Sequence, residues 1–92
     1  MVVYIAGRMR GLEDFGQSKF MAAEDKLVEA GHTVLNPAKF PPTMPYERYM
    51  PICLAMLEQA DAIYVLDNWE DSEGARLELA YAKFQQKEIM FE

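Results

Sequence analysis

The sequence predicts an α/β domain whose parallel sheet is covered by helices on both faces. Three observations carry this: four short apolar runs, helix-length segments between them, and strict alternation in the order β-α-β-α-β-α-β. Strands that alternate with helices are joined by right-handed crossovers and pair in parallel. A sheet buried on both sides also reads as continuous apolar runs, as these do.

Val2-Val3-Tyr4-Ile5-Ala6 is the first strand, ended by Gly7, and the loop Gly7 to Gly11 follows. From about Phe15 to Ala30, Phe20, Ala23, Leu27 and Ala30 recur at helical spacing, and Gly31 supplies a left-handed stop. Thr33 to Leu35 is the second strand, closed by Asn36-Pro37. All five prolines lie between Pro37 and Pro51, which predicts an irregular loop long enough to suggest a functional role. Pro51 suits the first turn of a helix running to about Gln59, where its missing N–H costs nothing. Ala62 to Leu66 is the third strand, Ser72 to Gln86 the third helix, and Lys87 to Phe91 the fourth strand.

In the last helix Leu77, Ala80, Tyr81 and Phe84 form one stripe, with Arg76, Lys83 and Lys87 on the solvated side. Glu78 falls roughly 140 to 180° from those basic residues. Its neighbours Gly74, Ala75, Tyr81 and Ala82 leave room above it and offer it no partner. Such a carboxylate is either an ordinary helix-edge residue or a nucleophile.

In open parallel sheets ligands bind at the carboxyl ends of the strands. That rule gathers the loops at Gly7 to Gly11, Asn36 onward and Asp67 to Ser72, and brings Glu78 towards the same cleft. The first loop is neither a P-loop nor a dinucleotide fingerprint. Its Arg8 and Arg10, beside free backbone N–H groups, suit a phosphate or carboxylate; the alternative is a solvated connection. Asp61, just before the third strand, reads on its own as a turn-forming residue bonded to nearby backbone, or as a site acid. Asn68 and Trp69 either meet a base or pack on the core. Tyr4, Tyr46, Tyr49 and Tyr64 read first as core or rim residues.

Composition narrows the function. Ninety-two residues make one domain, 1–92, small enough that a homodimer or higher homo-oligomer is expected. Hydrophobic content of 51% describes a folded chain, and a net charge of −6 argues against polymeric nucleic acid while allowing a small anionic ligand. The lone Cys53 forms no internal disulfide, and His32 shares no zinc spacing with it, so a cytoplasmic protein needing neither metal nor cofactor is expected. No basic stretch precedes the first strand and no apolar run approaches the ~20 residues of a membrane span, so neither signal peptide nor membrane contact is expected.

Tyr4-Ile5-Ala6-Gly7-Arg8-Met9-Arg10-Gly11, then Ala60-Asp61-Ala62-Ile63, then Ser72-x-Gly74-x-x-x-Glu78-Leu79-Ala80-Tyr81-Ala82 resembles, in that order and across nearly the whole chain, the nucleoside 2-deoxyribosyltransferase family and its hydrolase relatives. The small, phage-type members are especially similar. The resemblance implies a flavodoxin-like three-layer sandwich with a four-stranded parallel sheet. It implies that Glu78 is the nucleophile, that Tyr4 orients it, and that Asp61 lies near the substrate, where it is the candidate proton donor to the leaving base. Substrate would then meet Gly7, Arg8, Arg10, Gly11, Asn68, Trp69, Ser72 and Gly74. Ser72 stands where the transferases carry Asp and the deoxynucleoside monophosphate hydrolases carry Ser. With Arg10, this implies a 5′-phosphate on the substrate.

The implied reaction is cleavage of the N-glycosidic bond of 2′-deoxynucleoside 5′-monophosphates through a covalent glycosyl-Glu intermediate, releasing free base. The alternatives are transfer of deoxyribose between bases, or a non-catalytic nucleotide-binding module. Two departures stand out. Cys53 occupies a position where the family pattern has Asp, and Glu92 falls before the segment through which longer members complete a neighbour's site.

Overall fold

The computed structural model describes residues 1–92. Its elements are β1 (Val2–Ala6), α1 (Gln17–Glu29), β2 (Thr33–Leu35), α2 (Tyr46–Gln59), β3 (Ala62–Val65), α3 (Glu73–Phe84) and β4 (Glu88–Phe91), with 3-10 turns at Pro37–Lys39 and Trp69–Asp71. The four strands form one parallel sheet in the order β2-β1-β3-β4, as the alternation of elements requires.

Side chains of the two central strands alternate between two layers. Val3, Ile5, Ala62 and Tyr64 face α1, meeting Phe20, Ala23 and Leu27. Tyr4, Ala6, Ile63 and Val65 face the other way, meeting Tyr49, Cys53 and Leu57 of α2 and Leu79 and Ala82 of α3. The result is the flavodoxin-like three-layer sandwich. The chain leaves β1 towards β2 on one side and β3 towards β4 on the other, so the strand order reverses between β1 and β3. A crevice opens at the carboxyl ends of strands at such a point. No helix is long and apolar enough to cross a membrane.

The second helix begins one and a half turns earlier than the prolines suggest. Pro45, not Pro51, stands at its amino end, and Pro51 lies inside it. The missing N–H leaves the Glu47 carbonyl without its helical donor, and because Pro51 and Glu47 are both on the exposed side, that carbonyl is open to solvent. The Asn36-to-Pro45 segment is short and ordered. Asn36 caps the 3-10 turn by accepting from the Ala38 N–H at 2.9 Å, and the Tyr49 hydroxyl donates to the Pro41 carbonyl.

The stripe of α3 also differs from the expectation. Leu77 is 50% and Phe84 83% exposed, whereas the buried face is Gly74, Ala75, Glu78, Leu79 and Ala82. Small side chains let α3 lie close to α2 and the sheet. A Cβ on Gly74 would stand 2.9 Å from Met50 Cε and 3.2 Å from the Tyr46 hydroxyl. The close-packed face therefore carries Glu78 inward and leaves the bulky residues outside.

Candidate active site

One cavity of about 140 Å³ opens in the crevice, lined by the loop after β1, the first half of α2 and the amino end of α3. Glu78 lies at its floor, only 5% exposed. The helical register places it one turn beyond Gly74 and Ala75, which supply the space above it. From beneath, the fully buried Tyr4 of the central strand β1 donates its hydroxyl to Glu78 Oε2 at 2.6 Å. Oε2 is thereby held by the strand.

Burial pushes the Glu78 carboxyl up from 4.5 to about 7, although the Tyr4 hydroxyl and the Cys53 thiol beside it favour the charged form. Burial first, and the Glu78 charge second, push the Cys53 thiol up to about 12, so it is neutral. The Tyr4 hydroxyl is likewise held well above its ordinary range, by burial and then by Glu78. A carboxylate with a raised proton affinity, oriented by a neutral donor at the floor of a cleft, is the arrangement expected of a reacting group.

The lining carries both basic and acidic side chains. Arg8 and Arg10 come from the first loop, and neither takes part in any of the molecule's three ion pairs. Arg8 Nε donates to the Arg10 carbonyl at 3.4 Å, and the Arg10 guanidinium lies 3.8 Å from the centre of the Tyr46 ring. In the same lining, Ser72 caps α3 by accepting from the Ala75 N–H at 3.1 Å, between Asp71 and Glu73 in the chain. Phe15, Tyr49, Met9 and Met50 supply the apolar lining.

Six of the residues singled out in the sequence line this cavity: Gly7, Arg8, Arg10, Ser72, Gly74 and Glu78. Tyr4 reaches it through Glu78. Gly7 is required by the close approach of β1 to the end of β3, since a Cβ there would stand 2.6 Å from Leu66 Cδ1. Gly11 lies outside the cavity at φ +90, under the Arg8 guanidinium. Asn68 and Trp69 also lie outside. Asn68 Oδ1 accepts from the Arg8 N–H at 3.0 Å and so pins the loop, while Trp69 packs against Phe91, ring centres 6.4 Å apart.

Asp61 is a correction. It precedes the first residue of β3 and therefore sits at the amino edge of the sheet, at the opposite end from the cavity, where its exposed carboxylate accepts from the Val2 N–H at 2.8 Å. It is a structural tie between two strands and does not reach a leaving group. The acidic side chains that line the cavity besides Glu78 are Asp71 and Glu73. Of the lining residues that sequence reasoning left out of the site, Tyr46, Tyr49, Met50 and Cys53 lie on α2, whose start it misplaced, while Met9, Phe15, Asp71, Glu73 and Ala75 come from the first loop and the amino end of α3.

The fold is shared with enzymes of known structure. A 2-deoxyribosyltransferase from Leishmania mexicana superposes with a TM-score of 0.77 at 20% identity, over 98% of this chain and 62% of its own. A 2-deoxyribosyltransferase from Bacillus psychrosaccharolyticus gives 0.76 at 23% identity, over 99% of this chain and 71% of its own. This chain thus spans less than two thirds of the length of the Leishmania protein. No curated protein sequence matches it significantly. Residues 1–91 match the family described as a domain of unknown function, DUF4406. The chain therefore belongs to the DUF4406 family and is built on the fold of the 2-deoxyribosyltransferases.

Proposed function

We propose that residues 1–92 form one catalytic domain that cleaves the N-glycosidic bond of a 2′-deoxynucleoside and passes the deoxyribosyl group to a second base. The observation that carries this reading is the Tyr4–Glu78 pair at the cavity floor. Departure of the base leaves an oxocarbenium-like centre at C1′, which a carboxylate beneath it stabilises and then captures. The C1′–N bond breaks with its electrons going to the base, and a C1′–O bond forms with the free oxygen of Glu78. A nitrogen of the incoming base then attacks C1′, Glu78 leaves as carboxylate, and the proton which that nitrogen carried passes to the acidic mouth, balancing the one that the departing base took. The departing base takes its proton at the mouth, where Asp71 and Glu73 lie. The same steps with water as acceptor give a hydrolase.

A second reading, hydrolysis of 2′-deoxynucleoside 5′-monophosphates, is favoured by one observation. Arg8 and Arg10, free of ion pairs, line the same cavity as the capped amino end of α3. Two guanidinium groups and a helix amino terminus suit a phosphate. In either reading the partner is a small nucleoside or nucleotide, acted on in the cytoplasm. Leu77 and Phe84, exposed on the outside of α3, support a homo-oligomer, which sedimentation at micromolar concentration tests.

The deciding experiment is chromatography of free base released from each deoxynucleoside and its monophosphate, with and without a second base. Transfer predicts exchange that needs the acceptor; hydrolysis predicts release from monophosphates without one. Saturable binding with no release in any arm leaves a nucleotide-binding module and overturns both.

A further inference from the structure

The two arginines of the first loop are held differently. Arg8 is folded onto its own loop: its Nε donates to the Arg10 carbonyl at 3.4 Å, and its Nη2 lies 2.9 Å from where a Cβ on Gly11 would stand. Arg10 instead reaches to α2, where its Cζ lies 3.8 Å from the centre of the Tyr46 ring. Tyr46 is the first residue of α2, and its hydroxyl lies against the first turn of α3, 3.2 Å from where a Cβ on Gly74 would stand. Arg10, Tyr46 and Gly74 all line the cavity. Resting on the second reading above, in which a phosphate enters this cavity, we infer that Tyr46 is a positioning residue: it holds Arg10 in place for that phosphate and thereby sets the preference of the site for a 5′-monophosphate over the matching nucleoside.

A long side chain that moves freely in solution must be ordered when an anion binds, and that cost comes off the affinity. Stacked on an aromatic face, the Arg10 guanidinium is ordered beforehand. Stacking uses the flat face of the group, so its N–H edge stays available for paired hydrogen bonds to a phosphate. A carboxylate partner would occupy that edge. Asp71 and Glu73 line the same cavity, yet Arg10 enters no ion pair with either. The loop thus divides its two charges: Arg8 props the Arg10 backbone, and Arg10, steadied by Tyr46, offers its donors to the cavity.

The test is calorimetric binding of the four common 2′-deoxynucleosides and their 5′-monophosphates in a Glu78→Gln parent, where no glycosidic bond is broken. The parent is expected to bind at least one monophosphate roughly 10-fold or more tighter than its nucleoside, the scale of a hydrogen bond between charged groups, and Arg10→Gln is expected to abolish that margin. Tyr46→Leu, which loses the ring, is expected to narrow the margin roughly 2- to 5-fold, the scale of an exposed cation–π contact, with nucleoside affinity unchanged. Tyr46→Phe keeps the ring and is expected to keep the margin. Adding Tyr46→Leu to Arg10→Gln is expected to change nothing further, because Tyr46 acts through Arg10. Should Tyr46→Leu fail to fold, Gly74→Ala takes its place: its methyl displaces the Tyr46 hydroxyl and is expected to narrow the margin in the same way. A margin that Arg10→Gln removes but the Tyr46 and Gly74 variants leave intact, or a loss that nucleosides and monophosphates share equally, overturns the role of Tyr46 and leaves the monophosphate reading standing. No margin in the parent for any of the four bases overturns that reading and the role of Tyr46 with it.

Discussion

Two places on the sheet, the Asp61 corner of its amino edge and the cavity at its carboxyl edge, treat their charged side chains in opposite ways. At the amino edge Asp61 is exposed and fully engaged: its carboxylate accepts from the Val2 N–H and its own N–H donates to the Val2 carbonyl at 2.7 Å. Nearby, Lys87 Nζ donates to the Glu58 and Ala60 carbonyls at the end of α2. At the carboxyl edge Glu78 is buried against one hydroxyl and a thiol, while Arg8 and Arg10 have no acidic partner. Charges at one edge complete the backbone's own hydrogen bonding and hold the strands in register. Charges at the other are left incomplete in a concave place. The lesson is that an acid's role here follows from whether its needs are met by the fold or left for a ligand.

The sharpest way to break this contrast is to neutralise one acid at each edge. Glu78→Gln is expected to lower base release or exchange by at least about 10³-fold, the scale of losing a covalent nucleophile. Asp61→Asn is expected to leave turnover unchanged. Comparable losses from both would erase the distinction between the edges.

Next in size is a stability effect of opposite sign. Because the Glu78 carboxyl is raised from 4.5 to about 7 in the folded chain, the native state keeps a proton that the unfolded chain has released between those values. That contribution to stability is complete below pH 4.5 and disappears as the pH rises through about 7. Glu78→Gln lacks this loss. At pH 8 it is expected to be more stable than the wild type by about 2–3 kcal/mol, with the two converging near pH 4, as urea unfolding at both pH values will read.

Much of this was legible in the chain. The four strands could be read from apolar runs, and Glu78 from its small neighbours on one helix. The burial of α3 was not, because a helical wheel ranks bulk as inward, and Leu77 and Phe84 are bulky but outside. Close packing here is achieved by Gly74, Ala75 and Ala82, which a wheel undervalues. The α2 wall of the site was lost with the reading of Pro51 as a helix start, which left Tyr46, Tyr49 and Met50 in a loop. Asp61 could have been placed correctly: a residue that precedes a parallel strand lies at the edge away from the crevice.

A third test works inside the carboxyl edge. Tyr4→Phe keeps the ring and removes the hydroxyl that donates to Glu78. A hydrogen bond to a charged group contributes about 1.5–3 kcal/mol, so turnover is expected to fall by about 10- to 100-fold, with the acid limb of the pH profile moved to higher pH. An unmoved limb would mean that the hydroxyl does not act on Glu78. The smallest effect belongs to the amino edge. Asp61→Ala removes one side-chain bond to backbone and is expected to cost about 1 kcal/mol in urea unfolding, with kcat and KM intact.

Tyr4 belongs to two inventories at once. It is fully buried among the residues that hold α2 and α3 to the sheet, and its last atom touches the Glu78 carboxylate. Mutational drift at this position has few routes: a smaller residue hollows the interior, and phenylalanine preserves the interior while removing the hydroxyl that holds Glu78. Under the proposed reaction, lineages with weak selection for turnover should accumulate phenylalanine there and lineages that need it should not, making position 4 a marker of whether a given homologue uses that chemistry.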